Sequence, residues 1–237
     1  MTGLEIIFAI REGLKEYVDD TKYTNDYLMF LVDNKRTKYI RREYNNIQRP
    51  VDEQLVQTII LSLEEIDSSD MPSKYESESD TTRSTIRLPM VIGLDHRNMI
   101  ERIATVGKFE RPINIVSRKR FIYSGSGDYD VDQIFGMIDG DRYLHLKSSS
   151  GEERAYDEIS FSAVFERPMD QLKYDSVNSD QNIRTFNYPL KKQIADIVIL
   201  EIIQELASLK ILPTDQENNS ADDATILNGN NGQQQKK

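Results

Sequence analysis

The chain has 237 residues, 38% of them hydrophobic and 30% charged, with 30 basic and 40 acidic side chains for a formal net charge of −10. It contains no cysteine, which excludes disulfides, thiolate metal sites and thiol catalysis, and only two histidines, His96 and His145. Such an acidic balance repels a nucleic-acid backbone on average. No apolar run approaches the ~18 residues of a membrane span. The opening Met1-Thr2-Gly3-Leu4-Glu5 carries an acid where a secretory signal carries bases, so a chain made and kept in a cytosol is expected. The length predicts one large domain, or a domain with small appendages, that buries ~70% of its unfolded surface.

Residues 3–19 read as an amphipathic helix, with Ile7, Ile10, Leu14, Tyr17 and Val18 on one face. After a polar break at Asp19-Asp20-Thr21-Lys22, Thr24-Asn25-Asp26 offers N-cap chemistry for a second helix reaching Tyr44. The two predict a helical hairpin over 1–48. The second helix is apolar from Tyr27 to Val32 and then strongly basic, with Lys35, Lys38 and Arg42 following Leu28 and Leu31 around the same side.

Residues 51–66 fit either period, but the β-branched run Thr58-Ile59-Ile60 favours a strand for their second half. Residues 67–84, rich in Ser, Asp, Glu and Thr, read as a mobile surface loop. Strands are then expected at 85–90, 100–106, 119–123, 134–138, 143–146 and 159–165. Asp139-Gly140-Asp141 marks a hairpin in which Asp-Gly supplies positive φ. Pro189 suits the first turn of a long helix to 211, whose Ile197, Val198, Ile199, Leu200, Ile202 and Ile203 cover nearly its whole circumference. That helix must be buried on several sides, in its own domain or against a neighbour. Residues 213–237 read as a polar disordered tail. The predicted class is α+β: a helical hairpin (1–48), an antiparallel β sandwich or barrel-like domain (49–188), a long helix (189–212) and the tail.

No catalytic constellation emerges. Asp128, Asp130 and Asp132 alternate as calcium ligands do, with Asp139 at the twelfth position. The sixth, however, is Gln133 where the sharp turn needs glycine, so a solvated acidic turn is the plainer reading. Gly125 and Gly127 lack the Gly-Lys-Ser/Thr of a phosphate loop. His96, in Asp95-His96-Arg97, reads as a turn residue, and His145 as structural. Neither cofactor nor metal is expected.

Two basic clusters stand out against the acidic background: Lys35, Arg36, Lys38, Arg41 and Arg42, and the smaller Arg118, Lys119 and Arg120. The ordinary reading of each is a solvated face. The functional reading is contact with an acidic partner subunit, as in a head-to-tail ring. A nucleic-acid-binding regulator using the basic end of the hairpin is the alternative.

The layout, with Ile10-Arg11-Glu12-Gly13-Leu14-Lys15-Glu16-Tyr17, Tyr27-Leu28-Met29-Phe30 and Lys38-Tyr39-Ile40-Arg41 ahead of a β domain and a closing helix, resembles the head–tail connector or tail-adaptor ring proteins of crAss-like phages. Gln57-Thr58-Ile59-Ile60-Leu61-Ser62-Leu63-Glu64-Glu65 and Thr85-Ile86-Arg87-Leu88-Pro89 also look familiar from that group. The resemblance implies a non-enzymatic virion subunit, assembled in the host cytoplasm as a homo-oligomeric ring, commonly of twelve. It also implies binding to a portal protein and to other neck and tail proteins, with packaged DNA passing through the channel without specific binding. No membrane contact is implied.

Overall fold

The computed structural model describes residues 1–15, 17, 23–45, 50–66, 81–107, 110–124, 133–148, 155–174 and 184–211. Helix α1 (Gly3–Lys15) begins at a reciprocal cap. Thr2 Oγ1 accepts from the Glu5 amide at 3.3 Å, and Glu5 Oε2 accepts from the Thr2 amide at 2.9 Å. Helix α2 (Asn25–Tyr44) is capped by Thr24, whose hydroxyl accepts from the Tyr27 amide.

Helix α4 (Lys192–Ile211) completes the helical core. There Ile6, Ile10 and Leu14 meet Leu28 and Val32 of α2 and Val198 and Ile202 of α4. Thr2 forms a β-bridge with Asn187 just before α4, while a Cβ on Gly13 would lie 2.3 Å from Ile203 Cδ1. Helices α1 and α4 therefore run in the same direction. At 1.5 Å per residue, Phe8 stands level with Ile197.

Seven strands make the second layer: β1 (Gln57–Ile66), β2 (Thr81–Ser84), β3 (Ile100–Thr105), β4 (Ile113–Ile115), β5 (Ile134–Ile138), β6 (Leu144–Ser148) and β7 (Glu158–Ala163). Their order is β3-β7-β1-β2-β6-β5-β4, antiparallel throughout except for the parallel β4–β5 pair. The two end strands meet at an Ala104–Pro112 bridge, so the sheet curls into a nearly closed mixed barrel. Inward residues Ile59, Leu61, Ile103, Ile134, Leu146 and Phe161 fill it. A third cluster, with Ile40, Tyr44, Leu55, Ile92, Met99 and Val164, seats the C-terminal end of α2 on the barrel.

The sheet confirms the strand over the second half of 51–66, and strands at 100–105, 134–138, 144–148 and 158–163. Elsewhere the chain departs from expectation. Residues 67–80 lie outside the described ones, but 81–84 form β2, held between β1 and β6 by backbone pairing with no apolar side chain of its own. The expected strand at 85–90 is irregular. Pro89 has no amide to donate, and isolated bonds tie the segment down, among them Thr85 N to Ser62 O, Leu88 N to Arg142 O and Glu166 N to Met90 O. Residues 118–123 form helix α3, not a strand. Both edges of the adjacent β5 are already paired, and one turn suffices to set Phe121 on Phe135 and Met137.

The 139–142 hairpin is present, but the positive φ falls on Arg142 (68°) and not on Gly140. Asp139 makes the turn instead, its Oδ1 accepting from the Tyr143 amide at 2.7 Å. Helix α4 starts at Lys192, later than Pro189, because the Pro189 carbonyl is committed to Arg36.

Candidate interaction site

The five α2 cations do not form one surface. The buried stripe of the helix runs Leu28, Val32, Arg36, Ile40, Tyr44, an i,i+4 series that passes through the arginine. Arg36 is fully buried. Its Nη1 donates to Phe165 O at 2.8 Å and its Nε to Pro189 O at 3.1 Å, joining helix, barrel and the approach to α4. The Tyr188 ring lies 5.8 Å from the guanidinium carbon. The Tyr188 hydroxyl donates to Asp33 Oδ1 at 2.5 Å. Burial pushes the Asp33 carboxyl up to about 6, against the opposing pull of that hydrogen bond and of Arg36.

Lys35 is also engaged within the chain. Its Nζ lies 2.6 Å from Glu205 and 3.7 Å from Glu201 on α4, and the Glu205 bond raises its pKa. Arg41 donates to Gly93 O at 3.1 Å and to Glu166 Oε1 at 2.7 Å. Lys38 and Arg42 are exposed and have no ion-pair partner among the described residues. A hollow of about 290 Å³ lies beside Lys38, where Lys38, Arg41 and Arg167 mix with Asp33 and Glu166.

Arg118, Lys119 and Arg120 are exposed on α3, which packs on β5 through Phe121. Helix α3 belongs to a different core cluster from the C-terminal end of α2. The structure thus separates the two basic groups and turns Arg36 from a surface candidate into a joint.

Sequence reasoning missed several exposed apolar side chains on the helices. Leu4 and Phe8 of α1 and Ile197 and Leu200 of α4 are all exposed, Phe8 to 63%. The sequence signal was the all-round apolar mid-section of α4, which exceeds what α1 and α2 cover.

Among the described residues, no group of three His, Asp or Glu side chains could hold a metal ion. Asp128, Asp130 and Asp132 lie outside those residues, as do Gly125 and Gly127. Asp139 is spent on the hairpin, its Oδ2 3.0 Å from His145 Nε2 in a buried pair. His96 is exposed in a bend. Among the described residues, no helix is long and apolar enough to cross a membrane.

The described residues form a β barrel beside a helical layer that leaves several apolar side chains exposed. The family model described as "Phage tail ring protein 2" matches residues 5–224. One relative, "Ring protein 2" of Bacteroides phage crAss001, is 24% identical over 226 residues, 94% of this chain and 98% of its own length. The chain belongs to the phage tail ring protein 2 family of crAss-like phages, structural ring components of the virion.

Proposed function

We propose that this chain is the repeating subunit of a neck ring, expected to hold twelve copies, that binds the portal, extends the DNA channel and anchors tail proteins. The family match over nearly the whole chain carries this reading. Leu4, Phe8, Ile197 and Leu200 support it, because large apolar side chains exposed on the helices favour burial against protein. So do Lys38 and Arg42, two cations available to an acidic neighbour on a chain of net charge −10. The same acidity suits a channel wall past which DNA slides without sticking. The regulator reading loses ground: Arg36 is buried, and Lys35 and Arg41 are held by glutamates of the chain itself.

Electron microscopy of the purified protein, alone and mixed with the portal protein of the same phage, tests the proposal. Closed rings that stack coaxially on portal are expected. A monomer that joins neither portal nor particles would overturn it. Replacing two exposed apolar side chains, Phe8→Asp and Leu200→Asp, should abolish rings while leaving the circular dichroism spectrum unchanged, since neither side chain is in the core.

A further inference from the structure

The hollow of about 290 Å³ beside Lys38 holds more positive charge than its surroundings offset. Glu166 is taken by Arg41 at 2.7 Å. Asp33 is offset by the buried Arg36 and accepts from the Tyr188 hydroxyl at 2.5 Å. That leaves Lys38 and Arg167, both exposed on the lining and without an ion-pair partner among the described residues. Arg42, four residues beyond Lys38 on the same side of α2, adds a third exposed cation. Such a hollow has room and charge for acidic side chains brought from outside.

Uncommitted acids stand at the other end of the barrel. Strands β1 and β7 are antiparallel, with Ser62 opposite Glu158 and the Leu63 amide donating to Asp157 O at 2.8 Å. The end of β1, with Glu64 and Glu65, therefore lies beside the start of β7, with Asp157 and Glu158. Glu64 is held by Arg83 at 2.5 Å. Glu65, Asp157 and Glu158 are exposed, with no ion-pair partner among the described residues. From Glu158 the chain runs extended to Phe165, about 23 Å at ~3.3 Å per residue. Glu166 and Arg167, which line the hollow, come next. Exposed charges are screened over about 8 Å at physiological ionic strength, so the two ends do not neutralise each other within one copy.

We infer that copies of this chain dock head to tail through these two ends, with Glu65, Asp157 and Glu158 of one copy seated against Lys38, Arg42 and Arg167 of the next. The inference rests on the ring reading above and names the surfaces that join its subunits. A ring of identical copies needs two different, complementary surfaces on each, and opposite charges at opposite ends of one barrel are such a pair. A copy engaged at one end keeps its other end available, so the contact repeats until the ring closes. Charges of this kind fix register and orientation more than affinity, and they discriminate against the reversed arrangement, which sets like against like.

Charge reversal tests the pairing. Lys38→Glu with Arg167→Glu, and separately Asp157→Lys with Glu158→Lys, should each raise the concentration needed for ring assembly at least ~10-fold. Mixing the two variants should restore rings in which the two kinds of copy alternate, because each then offers the charge that the other lacks. The chain has no cysteine, so Lys38→Cys with Glu158→Cys adds a second readout. Mild oxidation of its assembled rings is expected to give a ladder of linked copies beyond the dimer, since the two positions are too far apart to join within one copy. Reversals that leave assembly unchanged, a mixture that does not recover, or rings that give no ladder would overturn the inference and leave the ring reading standing. Reversal of the hollow that spares the rings but blocks stacking on portal would overturn it in favour of an acidic portal surface. An unaltered full-length protein that forms no rings at all would overturn both.

Discussion

Helices α1, α2 and α4 shut on one another around Ile6, Ile10, Val32, Val198 and Ile202, whereas the barrel shuts at a single bridge, Ala104–Pro112. The helical pack is finished inside and unfinished outside, where Phe8, Ile197 and Leu200 stand uncovered. The barrel is unfinished at its seam, where Ile115 is a core residue without a complete core. Both regions therefore expose apolar surface, but by different routes: one by side chains left outside the helical core, the other by an open seam.

The difference can be broken at the joint. Arg36→Ala removes the donor shared by Phe165 O and Pro189 O and separates the two layers, with an expected loss of about 3–5 kcal/mol in urea unfolding. A cost below ~1 kcal/mol would mean that the layers hold together without it. The seam gives a sharper contrast. Ile113→Ala should cost about 2–5 kcal/mol, as a buried isoleucine does, while Ile115→Ala in the free subunit should cost well under half of that. Equal costs would show that the seam is already closed.

Acidity probes the helical side. The folded Asp33 carboxyl, at about 6, holds its proton more tightly than the ordinary 3.8 of an unfolded chain. Its contribution is thus full below pH ~4 and is lost as the pH rises through ~6, a fall of about 2–3 kcal/mol. Asp33→Asn should flatten that part of the profile, read as urea midpoints between pH 4 and 7. The smallest effect lies in the hairpin: Arg142→Gly relieves a left-handed residue and should stabilise by about 1 kcal/mol in thermal unfolding.

How far these features were legible depends on whether a local signal carried them. Thr24 announces α2, Thr58-Ile59-Ile60 announces β1, and Asp139-Gly140 announces the β5–β6 hairpin, because caps, β-branched runs and turns act over a few residues. Strand β2 had no such signal: Thr81-Thr82-Arg83-Ser84 is polar, and only its place between β1 and β6 makes it a strand. Strand β4 is three residues long behind Pro112, too short for any period. Lys119–Tyr123 reads as a strand until β5 is known to be paired on both sides. Charge misled most at Arg36, where the run of cations suggested a surface although Val32, Arg36 and Ile40 repeat at helical spacing. A seam between two sheet ends has no signature at all before the sheet order is known.

The helical core also has a timing built into it. Ile6, Ile10, Leu14 and Val32 leave the ribosome before α4, which covers them and begins roughly 150 residues after α2 ends. At ~5–20 residues per second, the growing hairpin waits on the order of 10–30 s with its apolar stripe bare. In a host cell making many copies at once, nascent chains on neighbouring ribosomes have that interval in which to bind each other or a chaperone. Swapping the order of the helices by circular permutation would remove the wait without changing one contact of the finished fold.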